Sequence, residues 1–163
     1  MCTSFRYTPR VAKAFHLEEK DIHPSDMCLV LTKNKKMMVP FGYEANHLIL
    51  NARQETLFEK KFFQNTTRCI VPAGSFYEWD AGKNKVEFYA DHILYFAGIL
   101  KEDHLIIITT PANPSVQPVH KRMPVILQKE DIKPWLLDET KSKEILEKPS
   151  ILLKTSQLQT PLF

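Results

Sequence analysis

The sequence predicts an α+β fold: one domain, mostly antiparallel β, either barrel-like or built of packed sheets, with a few short helices. Three observations lead there. Apolar runs of strand length, rich in Ile, Val and aromatics, recur between turn signals. The helical patterns are short and do not alternate with the strands as βαβ units would require. A chain of 163 residues suits one domain with its own core and is short for two.

Taken in order, residues 3–24 are mixed polar and aromatic, with Pro9 and Pro24, and predict an extended segment holding one short helix over 11–20. Residues 27–32 predict a strand, which 37–39 continue as a hairpin across Lys33-Asn34-Lys35-Lys36. Pro40-Phe41-Gly42-Tyr43 is a loop signal, and 47–51 is short and apolar. Leu57, Phe58, Phe62 and Phe63 fall at helical spacing and predict a helix over 55–63, with Asn51 or Thr56 as its cap.

Residues 67–79 are the densest strand-like region, and 85–90 alternate as a half-buried strand does. Further strands are expected at 93–100 and 105–110. Residues 111–118 hold three prolines and must form a loop. Short helices are expected over 131–137, with Pro134 in the first turn, and over 138–147; a closing strand is expected over 151–158.

Composition narrows the function classes. A net charge of +3 permits an anionic partner without demanding one. Three cysteines, Cys2, Cys28 and Cys69, fit a reducing compartment with no disulfide framework. None has metal-ligand spacing to a second Cys or His, so neither metal nor cofactor is expected. No apolar leader and no run of 18 apolar residues is present, so the expectation is a cytoplasmic protein with no membrane partner.

Several residues can carry chemistry. Met1 before the small residue Cys2 favours methionine removal, which places an α-amine and a thiol on one residue. Their ordinary pKa values are about 8 and about 8.5, so each is partly nucleophilic near neutrality. Such a 1,2-aminothiol condenses with aldehydes to a thiazolidine; a frayed terminus holding a Cys by chance is the plain alternative. Glu78 lies among Phe76, Tyr77 and Trp79. Buried, it would titrate near neutrality and transfer protons; facing outward, it would pair with a Lys. His120 follows the Pro-rich loop, though it is one of six histidines. Asn51 is a helix cap or a site residue, and Arg53 and Arg122 are anion contacts or surface charges. Phe41, Tyr43 and the aromatics around Glu78 either stack on bases or fill the core.

Together these blocks resemble the SOS response-associated peptidase (SRAP) family. They are Met1-Cys2, Asn51-Ala52-Arg53-Gln54-Glu55-Thr56, Arg68 to Ala73 leading into Phe76-Tyr77-Glu78-Trp79, Phe96-Ala97-Gly98, Ile108 to Asn113, and His120-Lys121-Arg122-Met123-Pro124-Val125-Ile126-Leu127. The resemblance implies a single domain over 1–163 that protects abasic sites in single-stranded DNA. It implies a covalent thiazolidine between Cys2 and the lesion's aldehyde, with Asn51, Glu78 and His120 also catalytic. DNA contacts are implied at Arg53, Phe41, Trp79, Arg122, Met123 and Pro124. Removal of Met1 by self-processing, a monomeric state and, in a bacterium, association with the nucleoid complete that expectation. Two other readings stay open: an N-terminal cysteine amidohydrolase or peptidase, and a non-catalytic single-strand binder. Thr3-Ser4 stands where the family usually has Gly-Arg, and the stretch from Phe41 to Asn51 is abridged.

Overall fold

In the computed structural model, which describes residues 2–158, ten of twelve strands form one antiparallel-dominated sheet, two more form a small hairpin sheet, and three short α-helices accompany them. In chain order they are β1 (Phe5–Tyr7), α1 (Pro9–Phe15), β2 (Lys20–Ile22), β3 (Met27–Leu31) and β4 (Lys36–Pro40). Then follow β5 (Tyr43–Glu44), β6 (Leu48–Ile49), β7 (Asn51–Arg53), β8 (Thr67–Trp79), β9 (Lys85–Lys101) and β10 (His104–Pro111). β11 (Arg122–Pro124), α2 (Lys129–Leu137), α3 (Ser142–Glu147) and β12 (Lys154–Leu158) complete the chain.

The main path runs β11-β10-β9-β8-β1-β2, an open order to which β3 and β4 attach at β8, so the sheet does not close into a barrel. β7 joins parallel to β10, with Asn51 opposite Ile107. β8 and β9 pair along nearly their whole length. β9 is long enough to serve two neighbours on its other side: β10 takes 98–101 and β12 takes 85–89.

Central strands here are apolar without alternation because both faces of the sheet are covered. Cys69, Val71, Phe96, Leu105 and Ile107 enter one core with Cys2, Phe5 and Phe41. Their neighbours Ile70, Ala97, Ile99, Ile106 and Ile108 enter a second core, closed by Trp135 of α2 and Ile145 and Leu146 of α3. At roughly 25 cal/mol per Å² of apolar surface, this two-sided burial is the main favourable term in the fold.

Three expected elements come out differently. The helix expected over 11–20 stops at Phe15, because His16 turns left-handed (φ 56°) and the Leu17 N–H closes back on the Ala12 carbonyl. Lys20–Ile22 is thereby released to pair with β1. The helix expected over 55–63 is a series of turns ending in a single 3₁₀ turn, Lys61–Phe63. Leu57 is buried while Phe58 is 51% exposed, so those aromatics share no helical face, and Asn51 is a strand residue rather than a cap. α2 starts at Lys129, which moves Pro134 from the first turn to the interior, where it withholds an N–H from the ladder.

A bulge between Ala73 and Ser75 interrupts the β8–β9 register. Gly74 at this point lies against α1: an added Cβ would come within 2.1 Å of Thr8 Oγ1 and 2.6 Å of Thr8 Cβ. We expect Gly74→Ala to destabilise the fold by about 1–3 kcal/mol, the range for overpacking. Urea midpoints check this, and Thr8→Gly should recover most of the loss; an unchanged midpoint for Gly74→Ala would show that α1 yields freely.

Candidate active site

The extended segment ahead of β1 lies along the end of β8. Phe5 pairs with Phe76, and the Tyr77 N–H donates to the Ser4 carbonyl at 3.2 Å, which carries Cys2 toward Glu78. Cys2 is fully buried. Burial raises its thiol pKa, and the negative charge of Glu78 raises it further. The thiol is therefore protonated at neutral pH and needs a base when it reacts.

Asn51, at the start of β7, holds this segment down. Its Nδ2 donates to the Cys2 carbonyl at 3.1 Å and to the Leu50 carbonyl at 3.0 Å, with the Ile107 carbonyl at 3.5 Å. Its Oδ1 is buried with no hydrogen-bond partner among the described residues. An unsatisfied buried acceptor costs about 1–3 kcal/mol, a cost that falls away when an N–H donor arrives.

Glu78 is only 3% exposed. Burial pushes its carboxyl up to about 7. His120 Nδ1 lies 3.9 Å from Glu78 Oε1. The same Nδ1 lies 3.1 Å from both the main-chain nitrogen and the carbonyl oxygen of Arg122, so the backbone of that residue seats the ring at Nδ1. Burial lowers the His120 pKa, so the imidazole is neutral near pH 7. The loop that delivers His120 is held by its own bonds: the His120 N–H donates to the Val116 carbonyl, and Asn113 Nδ2 donates to the Ile151 carbonyl at 2.8 Å. A carboxyl titrating near 7 beside a neutral imidazole can pass protons in either direction at physiological pH.

The structure thus brings Cys2, Asn51, Glu78 and His120 together from four separate stretches of chain. The residues expected to touch DNA fare differently. Arg53 is exposed beside them on β7. Trp79 is 41% exposed, with the Lys85 ammonium 5.6 Å from its ring centroid. Phe41 is fully buried, its ring 5.5 Å from Phe5, and offers no face for stacking. Met123 and Pro124 are also interior, and the Met123 sulfur accepts from the Asn113 N–H at 3.4 Å. Arg122 is mostly buried and paired with Glu55. Glu55 is a residue that pattern reasoning passed over, since an acidic residue at the start of an expected helix has an ordinary explanation.

Among the described residues no group of three His, Cys, Asp or Glu is placed to hold a metal ion. No helix there is long and apolar enough to cross a membrane.

Comparison with known proteins adds to this geometry. An abasic site processing protein of Bacillus subtilis, YoqW, is 34% identical over 61% of this chain and 52% of its own length. A second from the same organism, YoaM, is 35% identical over 64% of this chain and 53% of its own length. The chain spans about half the length of these curated relatives. Two solved structures from Bordetella bronchiseptica share the fold. One superposes with a TM-score of 0.80 at 21% identity, covering 98% of this chain and 100% of that one. The other, a phage-related protein, gives 0.79 at 22% identity over 98% and 95%. The family model described as SOS response associated peptidase (SRAP) matches residues 11–160. With that span covering most of the chain, the protein belongs to the SRAP family.

Proposed function

We propose that this protein processes abasic sites in single-stranded DNA by linking Cys2 covalently to the lesion through a thiazolidine. The observation that carries the proposal is the Asn51 amide. It ties the Cys2 main chain at 3.1 Å, next to a buried carboxyl that titrates near 7. The names of the relatives, abasic site processing proteins, supply the substrate class.

The reaction needs Met1 removed; Met1 lies outside the described residues. The α-amine of Cys2 then adds to the C1′ aldehyde of the ring-opened deoxyribose. A C–N bond forms, and the amine proton passes to the carbinolamine oxygen through Glu78. Protonated Glu78 next delivers a proton to the hydroxyl, which leaves as water and gives the iminium. The Cys2 thiol adds to the iminium carbon and yields its proton to the Glu78 carboxylate, closing the ring. Aldehyde and aminothiol have become thiazolidine and one water, with no redox partner. His120 assists opening of the sugar and exchanges protons with Glu78 across 3.9 Å. Asn51 holds the two nucleophiles at fixed reach, a proximity contribution, and its unpartnered Oδ1 is an acceptor for the new α-amine. Arg53 and the exposed face of Trp79 are the DNA contacts this reading retains.

The test is a denaturing gel of the purified protein incubated with a single-stranded oligonucleotide bearing one abasic site. Wild type should give a stable shifted band, and Cys2→Ala should give none. Cys2→Ser keeps an amine without the thiol, so its adduct should survive denaturation only after borohydride reduction. An intact mass that retains Met1, or a band undiminished in Cys2→Ala, would falsify the aminothiol mechanism.

A further inference from the structure

The guanidinium of Arg122 is committed to the protein itself. Nη1 donates to Glu55 Oε1 and Nη2 to Glu55 Oε2, both at 3.0 Å, an ion pair that spans 67 residues of sequence. Nη2 also donates to the Thr109 carbonyl at 3.0 Å and approaches the Thr109 hydroxyl at 3.2 Å. The Arg122 side chain is 15% exposed and that of Glu55 38%. Two parallel charge-assisted bonds fix orientation as well as distance. The main chain of the same residue reaches the other way, with its nitrogen and its carbonyl oxygen both 3.1 Å from His120 Nδ1. Arg122 therefore joins Glu55, on its side chain, to the site imidazole, on its backbone.

We propose that Glu55 is a positioning residue: through Arg122 it holds the 120–122 segment so that His120 stays seated beside Glu78. Its catalytic meaning rests on the crosslinking reading above; its structural meaning does not. β11 is only three residues long and follows the Pro-rich loop, so its own ladder gives limited anchorage. Without Glu55, a largely buried guanidinium loses its counter-charge, a costly state that is relieved when the side chain swings to solvent. The attached backbone then leaves Nδ1, and water reaches the ring. Among the described residues the charged group facing His120 is Glu78 of β8, at 3.9 Å, while Arg122 of β11 meets the ring through its main chain; Glu55 acts on it through geometry.

The experiment uses the full chain with Glu55→Gln and Glu55→Ala. Gln keeps the shape and can still accept from Arg122, so its effects should be the smaller. Three quantities are read: the His120 ring titration by NMR, equilibrium binding to an undamaged single-stranded oligonucleotide, and the rate of crosslinking within the bound abasic complex. In Glu55→Ala the His120 titration should move up toward the ordinary imidazole range, and the bound-complex rate should fall about 10- to 100-fold. DNA affinity should hold or improve, since the released Arg122 can meet phosphate. If either the titration or the bound-complex rate stays at its wild-type value, the proposal is overturned. A loss confined to DNA affinity overturns it as well, making the pair a binding element only. If wild type forms no crosslink, the crosslinking reading fails on its own, and the His120 titration alone decides the role of Glu55. If the Ala variant does not fold, the same criteria apply to Glu55→Gln.

Discussion

Replacing Glu78 with Gln is expected to slow crosslinking by about 10²- to 10⁴-fold, the usual worth of a general acid–base group, and at the same time to stabilise the folded protein above neutral pH. Both effects come from one cause. Glu78 is held in a site where burial lifts its pKa from 4.5 to about 7. Below pH 4.5 the carboxyl is protonated in folded and unfolded chains alike, and its burial carries no charge penalty. As pH rises from 4.5 to 7 the unfolded chain gives up the proton first, and stability falls. The full loss, about 3 kcal/mol, is present above 7. Gln cannot ionise, so its variant escapes that fall. Urea unfolding at pH 5 and pH 8 should show variant and wild type close together at the lower pH and separated at the higher. Single-turnover gels at pH 7 should show the loss of rate. Equal rates would remove Glu78 from the chemistry, and equal midpoints at pH 8 would mean the carboxylate is better solvated than its 3% exposure indicates.

The same residue shows what can be read from sequence and what cannot. The strand over 67–79 is legible because β-branched and aromatic residues crowd it, and the hairpin of β3 and β4 is legible because a Lys-Asn-Lys-Lys turn separates two apolar runs. Which way Glu78 points is not legible. Alternation assigns an inside and an outside only when one face of a sheet meets water, and here both faces are packed. The failed helix over 55–63 has a related origin. Helical spacing of apolar residues means one buried stripe only if a single core receives them, whereas Leu57 is buried and Phe58 exposed. The motif residues Phe41, Met123 and Pro124 are interior for the reason apolar residues usually are, even inside blocks that mark a site. Tertiary pairing lies furthest from local pattern: Glu55 and Arg122 meet across 67 residues, and Asn51 reaches Cys2 across 49. No spacing rule connects them. The site residues emerge from sequence only as members of blocks, and the structure turns that membership into contact.

Trp135→Ala should be the most destabilising single change in the second core. Trp135 is fully exposed to protein and not at all to water, so its removal deletes a large apolar volume between α2 and the sheet. Its indole Nε1–H donates to the Cys69 carbonyl at 2.9 Å, while its own carbonyl accepts from Arg68 Nε at 2.6 Å. The Arg68 guanidinium also lies 5.7 Å from the ring centroid. Losses of about 3–5 kcal/mol are typical for Trp→Ala in a core, against a total stability of roughly 5–15 kcal/mol for a domain. For a chain of this size that corresponds to a fall in Tm on the order of 10 °C. Trp135→Phe keeps most of the packing and gives up the indole donor, at about 1 kcal/mol for the bond and more if the Cys69 carbonyl stays dry. The ranking Ala well below Phe, and Phe below wild type, is measured by thermal and urea unfolding. Cys69 and Glu78 are on the same strand, so α2 anchors the far end of the element that carries the carboxyl. Crosslinking by Trp135→Ala should therefore be near wild type at low temperature, where the chain is folded, and should disappear some 10 °C earlier on warming. A variant that unfolds with wild type would show that α2 contributes little to the sheet; one that unfolds early but crosslinks slowly even when folded would show that the second core also shapes the site.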